Sequence, residues 1–149
     1  MKRTFFAIPV IAQERRLLQE VVQPIAEQCD DQIHWIAEKK WHLTVRFLGN
    51  ANEEALAYFA QRGAEIARAI KKFSIHINKI AGFPSPHARI IAAHVAAQDI
   101  VQCLFNTLNE AALTAGLPGE NHTFRPHITL AKFDNHVCHV EPIILEQFT

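Results

Sequence analysis

The chain of 149 residues has few cysteines, no long apolar run and no excess of charge of one sign. It has 3 cysteines, an odd and widely spaced set without a CxxC pair, so neither a disulfide framework nor a zinc motif is expected. No apolar run is long enough to span a bilayer, and no Gly/Ser-rich linker divides the chain. The formal net charge is +0, which argues against a coat protein that tracks along nucleic acid through a strongly basic field. We therefore expect a cytoplasmic protein that does not bind membranes.

The chain is rich in histidine and in apolar residues. Its 9 histidines stand against 15 Lys and Arg and 15 Asp and Glu, and 49% of its residues are hydrophobic. That apolar content and the length suit one domain, or two small lobes that share a core. Histidine titrates near neutral pH and serves as ligand, acid or base, so the neighbours of each histidine must show which ones do chemistry.

Three segments have the periodicity of amphipathic helices: 14–28, 53–71 and 98–115. Asn52 is a candidate N-cap for the second helix, Gly116 ends the third, and Pro24 predicts a kink or an end in the first. Extended segments are predicted at 4–9, 32–37, 42–48, 73–80, 89–95, 123–133 and 143–148. Because helices and strands interleave without a regular βαβ rhythm, the pattern predicts an α+β fold with an antiparallel or mixed sheet.

The N-terminus fits two interpretations. A basic start at Lys2 and Arg3, followed by the apolar segment 4–12, is typical of a short signal peptide. The aromatic and β-branched residues before Pro9 also predict a first β-strand.

Two segments, 42–49 and 127–133, share one pattern: histidine, aliphatic, threonine, aliphatic, and a phenylalanine shortly after. Successive side chains of a strand point to opposite sides. One side of the first strand therefore carries His42, Thr44 and Arg46, and one side of the second carries Arg125, His127 and Thr129.

Two such strands, brought face to face, would form a compact site for a phosphodiester. Two imidazoles can divide the acid and base roles, each proton transfer contributing on the order of 10²–10⁴-fold. Two hydroxyls can donate to the oxygens of a tetrahedral anion, and guanidinium groups can match its charge. No metal or other cofactor is expected, because no cluster of carboxylates and histidines at metal spacing accompanies either motif. Two ordinary strands remain the other interpretation of the pattern.

Other candidate residues are assigned lesser roles. Lys132 lies five positions after His127, so strict alternation turns it to the other side of the strand and ranks it below the two arginines. Trp35 is expected in the core, whereas Trp41 and Phe83 suit either core packing or stacking on a terminal base. Seven other histidines are expected to be solvated or satisfied polar groups: His34, His76, His87, His94, His122, His136 and His139. Of these, His76 and His94 could also face the site, and His87 could touch substrate. His136 and His139 lie three apart, but no third metal ligand is evident.

With these motifs in place, the sequence resembles the 2H phosphoesterase superfamily, which is defined by paired His-x-Thr/Ser motifs. It is more closely similar to the bacterial and archaeal 2′-5′ RNA ligase group, also described as RNA 2′,3′-cyclic phosphodiesterases. The similar segments are 3–9, 34–49, 82–91 and 124–132, in order and over nearly the whole chain. The resemblance also favours a first strand over a signal peptide.

The resemblance implies one domain, residues 1–149, built of two pseudo-symmetric lobes whose sheets line a central cleft, with helices outside and one motif from each lobe. It implies hydrolysis of a 2′,3′-cyclic phosphate, on an RNA end or a small cyclic nucleotide, to a 2′-phosphate; some members also join 2′-5′ linkages. His42 would protonate the leaving 3′ oxygen and His127 would activate water, with roles that exchange when the reaction reverses. Thr44 and Thr129 would hold the phosphate oxygens, and we expect a monomer.

The sequence departs from the group in two places. Ala92 stands where the group often has tryptophan, which removes a contact near the cleft. The chain ends at Thr149, where members continue for a further strand or two, so one sheet is expected to have an edge that another chain could pair. A binding module that keeps the cleft but has lost turnover is the alternative to an enzyme.

Overall fold

The computed structural model describes residues 2–28, 33–120, 123–134, 138–139 and 141–148. Three α-helices and nine strands lie within these ranges, and a short 3₁₀ helix, Glu38–Lys40, precedes the third strand. The helices are α1 (Ala12–Gln28), α2 (Glu53–Ala69) and α3 (Asp99–Thr114). The strands are β1 (Lys2–Pro9), β2 (Ile33–Trp35), β3 (His42–Ala51), β4 (Ile77–Phe83), β5 (His87–Ala88), β6 (Ile90–Val95), β7 (His127–Phe133), β8 (Cys138–His139) and β9 (Ile143–Phe148).

Seven of these strands form one sheet in the order β1-β3-β7-β6-β4-β9, with β2 paired to β7 outside this path. The two-residue strands β5 and β8 pair with each other. The pairs with a defined register are antiparallel. The predicted α+β fold with an antiparallel sheet is therefore confirmed.

The three helices match the predicted segments within a few residues at each end. The Asn52 side chain accepts from the Ala55 backbone N–H at 2.9 Å, as expected of an N-cap. Gly116 has a φ of 86°, the left-handed conformation that ends a helix at low cost. The first helix continues through Pro24 to Gln28, as its predicted extent required. Of the two effects predicted for Pro24, the end is therefore wrong and the kink stays a prediction. None of the described helices is both long and apolar enough to cross a membrane.

Two predicted strands begin later than expected. Residues 73–76 alternate between partly buried and exposed positions, yet they lie outside the sheet. β6 ends at Val95, and the next residue, Ala96, donates a single backbone bond to the His76 carbonyl at 2.7 Å instead of extending the ladder. Residues 123–126 likewise precede β7 without strand structure. Alternating burial shows that one side of a segment is covered by other residues. It does not show that another strand pairs with that segment.

The chain divides into two compact units, and whether residues 1–149 act as a single domain stays a prediction. Unit 1 comprises Met1–Ala7, Thr44–Ser74 and Ala97–Pro126. Its apolar cluster joins Leu48 of β3, Phe59 of α2 and Ala112 of α3. Phe6 of β1 packs edge-on against Phe59, with ring centroids 6.0 Å apart.

Unit 2 comprises Ile8–Leu43, Ile75–Ala96 and His127–Thr149. Its largest fully buried side chains come from α1, β3, β4, β6 and β7, and are Leu18, Leu43, Ile80, Ile91 and Leu130. Apolar residues that alternate along these strands thus cover one side of the unit 2 sheet. The other side is left for the half-buried polar residues of the repeated motifs.

Candidate active site

The two His-x-Thr strands lie side by side, as hydrogen-bonded neighbours of one antiparallel sheet. Leu43 of β3 is the register partner of Ile128 of β7, and both are buried, at 0% and 3% exposure. This corrects the expectation that the two strands face each other. His42 comes one position before Leu43, and Thr129 comes one position after Ile128. Because the strands are antiparallel, His42 therefore lies across from Thr129.

His42, His127 and Thr129 therefore share the side of the unit 2 sheet that points away from Leu43 and Ile128; we call it the motif side. All three are half-buried. Thr44 follows Leu43 on β3 and shares the His42 side of that strand. The structure thus brings together three of the predicted site residues within unit 2, with Thr44 next along the strand.

A backbone carbonyl sets the orientation of the His42 imidazole. Nδ1 of His42 lies 2.7 Å from the carbonyl oxygen of Lys40. A carbonyl can only accept, so Nδ1 donates, and in the neutral ring the lone pair is on Nε2. Nε2 is therefore the nitrogen through which His42 exchanges a proton.

The segment that carries the Lys40 carbonyl is fixed by Trp41. This indole is 4% exposed and donates through Nε1 to the Ile36 carbonyl at 3.0 Å. The Ile36 N–H in turn donates to the Leu130 carbonyl of β7 at 2.9 Å. Of the two roles considered for Trp41, the structure supports packing, because a buried ring presents no face to a base.

An aromatic ring covers the second imidazole. The Phe83 ring stacks on His127 with centroids 3.8 Å apart and an angle of 18° between the planes. It also tilts against His94, at 5.6 Å and 58°. His94 is the register partner of His127 and lies 3.1 Å from the Gly82 carbonyl through Nε2, which must donate. His94 is thus a satisfied polar group on the motif side.

A β-bulge turns Lys132 to the motif side. Along β6 and β7, Ala92 pairs with Thr129 but Ile91 pairs with Ala131, so Leu130 is an extra residue in β7. Leu130 and Ala131 are both fully buried. Alternation restarts after the bulge, and the exposed Lys132 emerges on the same side as Thr129. The prediction that Lys132 faces the other side is wrong, because strict alternation cannot anticipate a bulge.

β2 continues the motif side beyond Lys132. His34 is the register partner of Lys132, and its Nε2 lies 2.6 Å from Oδ2 of Asp134. Both side chains of this pair are largely exposed. Sequence reasoning gave His34 no specific role, and its partner, 100 positions away, has no signal in the local sequence.

Arg46 is buried within unit 1 rather than displayed beside His42. It is 6% exposed, with Nε donating to Asn109 at 3.0 Å, Nη1 to Glu120 at 3.2 Å and Nη2 to the Pro118 carbonyl at 2.7 Å. These bonds tie β3 to α3 and to the segment after it. They give Arg46 a structural task, and its predicted contact with phosphate stays a prediction.

Arg125 is exposed and lies in the irregular segment before β7, so strand alternation does not assign it a side. Its predicted role also stays a prediction. Among the residues that the structure describes, no group of three or more His, Cys, Asp or Glu side chains could hold a metal ion. His136 and His122 lie outside the described residues, as does the side chain of His139.

Comparison with known proteins relates the chain to phosphoesterases. The family model of LigT-like phosphoesterases matches residues 8–92, more than half of the chain, and includes the first motif but not the second. The RNA 2′,3′-cyclic phosphodiesterase of Bacillus subtilis is 31% identical over 99 residues, 66% of this chain and 54% of that protein. The chain thus spans about half the length of this relative.

Two solved structures share the fold. The TT0787 protein of Thermus thermophilus superposes with a TM-score of 0.81 and 25% identity, over 98% of this chain and 82% of that one. Escherichia coli LigT complexed with 3′-AMP gives a TM-score of 0.69 and 22% identity, over 95% and 78%.

The α+β fold, the two His-x-Thr motifs and the family match together identify a 2H phosphoesterase. Within that class, the chain belongs to the LigT-like phosphoesterase family.

Proposed function

We propose that this chain hydrolyses 2′,3′-cyclic phosphates, on RNA ends or on small cyclic nucleotides, with His42 and His127 as the acid–base pair. The register pair Leu43–Ile128 carries the proposal, because it sets both imidazoles and the Thr129 hydroxyl on one side of one sheet. The name of the B. subtilis relative, RNA 2′,3′-cyclic phosphodiesterase, supports the same reaction.

The proposed reaction needs two proton transfers. His127 accepts a proton from water as the water oxygen bonds to phosphorus. The bond from phosphorus to O3′ breaks, and His42 delivers the proton that O3′ needs through Nε2, since Nδ1 is held by the Lys40 carbonyl. The product is a 2′-phosphate with a free 3′ hydroxyl. Each transfer contributes on the order of 10²–10⁴-fold.

The phosphate would be held by neutral and charged donors. The hydroxyls of Thr44 and Thr129 donate to the two non-bridging oxygens, whose negative charge grows during attack. The Lys132 ammonium, on the motif side, adds positive charge. Arg125 is a further candidate for the RNA backbone, whereas the contacts of Arg46 favour a structural role.

The same pair would also support ligation. A ribose 5′ hydroxyl in place of water would attack the cyclic phosphate and lose its proton to one imidazole. The bond from phosphorus to O3′ would break, the other imidazole would protonate O3′, and a 2′-5′ linkage would result. This activity is tested by incubating a cyclic-phosphate RNA with a 5′-hydroxyl RNA and looking for a joined product. We also propose that the protein is a monomer in the cytoplasm, as expected from the sequence.

The deciding experiment is hydrolysis of an oligoribonucleotide ending in a 2′,3′-cyclic phosphate, in excess EDTA, by the wild type and by His42→Asn and His127→Asn. We expect each substitution to lower kcat by about 10²-fold or more, and the wild type to yield the 2′-phosphate. His76→Asn, at an exposed position next to β4, is the matched control and should keep full activity. Undiminished turnover in both motif variants would refute the acid–base pair. Binding of 3′-AMP without any hydrolysis by the wild type would favour the binding-module alternative.

A further inference from the structure

Phe83 and His127 make a close ring contact on the motif side. Their centroids are 3.8 Å apart and their planes differ by 18°, so the two rings lie almost flat on each other. The contact joins β4 to β7 although β6 lies between these strands in the sheet. A side chain that crosses a strand to cover a motif histidine restricts how that imidazole can rotate.

Two small side chains lie between Phe83 and β7 on the motif side. Ala81 of β4 and Ala92 of β6 are register partners on the motif side, and both are buried. They carry only methyl groups, which leave space above the sheet for a phenyl ring to reach β7. The alanine at position 92 is therefore part of what lets Phe83 meet His127.

The backbone next to Phe83 is held by two contacts of Gly82. A Cβ on the preceding residue, Gly82, would lie 2.6 Å from the Ser85 carbonyl oxygen, so only glycine allows the chain to approach itself this closely. The Gly82 carbonyl accepts from His94, and the His94 ring rests at a tilt against Phe83. The phenyl ring thus contacts two imidazoles, stacked on His127 and tilted against His94.

We propose that Phe83 is a positioning residue for His127: its ring fixes the plane of the imidazole and, by the attraction between a cation and an aromatic face, favours the protonated ring. This inference rests on the proposed function only for its effect on turnover. The effect of the stack on the His127 titration can be measured without substrate.

The first readout is a pH titration of the His127 imidazole by NMR in the substrate-free protein. Phe83→Leu keeps an apolar side chain of similar reach but removes the aromatic face. Losing a partner that favours the imidazolium makes the proton easier to remove, so the midpoint should move to lower pH, and Phe83→Tyr should restore it. The charged and titratable groups around His127 are unchanged in every variant: His94 on β6, His42 on β3, Lys132 on β7 and Lys79 on β4. A midpoint that is the same in Phe83→Leu and the wild type overturns the proposal.

The second readout separates positioning from substrate binding. Phe83→Leu should lower kcat about tenfold with KM within about twofold, a loss that corresponds to about 1.4 kcal/mol, the upper range for an aromatic pair. Phe83→Tyr should recover most of it. The control is Phe47→Leu, which removes an exposed ring paired with Phe5 in unit 1 and should leave both the titration and kcat unchanged. A rise in KM at constant kcat would overturn the proposal by showing that Phe83 contacts substrate. An inactive wild type with the predicted titration shift would sustain the stack and reject the proposed function instead.

Discussion

Leu43 of β3 lies directly across from Ile128 of β7, and this one register pair fixes the geometry of both motifs. Each residue is flanked by the histidine and the threonine of its own motif. Because the strands are antiparallel, the two motifs run past each other in opposite directions, and His42 lies across from Thr129 of the other copy. A hydroxyl from one motif is thereby placed beside the imidazole of the other.

This crossed arrangement predicts a transition-state role for the Thr129 hydroxyl. Thr129→Val keeps the shape and removes the donor, so we expect kcat to fall by about 10²-fold, as when a single oxyanion donor is lost, with KM nearly unchanged. Steady-state hydrolysis of a cyclic-phosphate substrate measures both constants. Thr107→Val is the matched control, since that hydroxyl bonds the Cys103 carbonyl within α3. A normal kcat in Thr129→Val would show that the hydroxyl takes no part.

The bulge at Leu130 predicts that Lys132 acts on the phosphate electrostatically. Lys132→Gln should lower kcat/KM by roughly tenfold at low ionic strength, and the gap to the wild type should shrink as salt screens the exposed ammonium. Lys71→Gln removes another exposed lysine, between α2 and β4, and should have little effect. Equal losses in the two variants would mean that only net charge matters.

The motif positions could be predicted from the sequence because side-chain alternation along a strand is a local property. His42 and Thr44 share a side whatever the strand packs against, and the same holds for His127 and Thr129. The bulge in β7 could not be predicted in this way. It depends on how β6 and β7 pair, and β6 lies more than thirty positions earlier in the chain.

Arg46 shows a second limit of alternation, which tells which side a residue is on but not whether that side is covered. Leu43 is buried on the odd-numbered side of β3, whereas in unit 1 the even-numbered Arg46 and Leu48 are buried and Phe47 is exposed. The covered side changes along one strand, after the buried Val45. The residue of α3 that binds Arg46, Asn109, is 63 positions away and cannot be predicted from local alternation. The partner of Arg46, Glu120, is 74 positions away.

The burial of Arg46 predicts a loss of stability rather than of substrate binding when it is replaced. Arg46→Met leaves the Glu120 carboxylate, largely buried, without its cation. We expect the free energy of unfolding to fall by about 3 kcal/mol, as when one partner of a buried pair is removed, measured by urea denaturation. Arg62→Met breaks an exposed pair with Glu65 and should cost less than about 1 kcal/mol. Lost activity at unchanged stability would instead identify Arg46 as a phosphate contact.

Gly82 tests whether the backbone at the end of β4 supports the stack on His127. In Gly82→Ala the new methyl group would meet two backbone oxygens, of Ser85 at 2.6 Å and Pro86 at 2.9 Å, so the loop must move. We expect a loss of about 1–3 kcal/mol in the free energy of unfolding, typical of overpacking, and a His127 titration shifted in the same direction as in Phe83→Leu. Gly119→Ala is the control, because its methyl group would meet only the flexible end of Leu113, at 3.4 Å. That variant should be as stable as the wild type or up to about 1 kcal/mol more stable, since alanine restricts the unfolded chain. If the two substitutions have the same effect on stability and on the titration, then the close approach at Gly82 does not hold Phe83 in place.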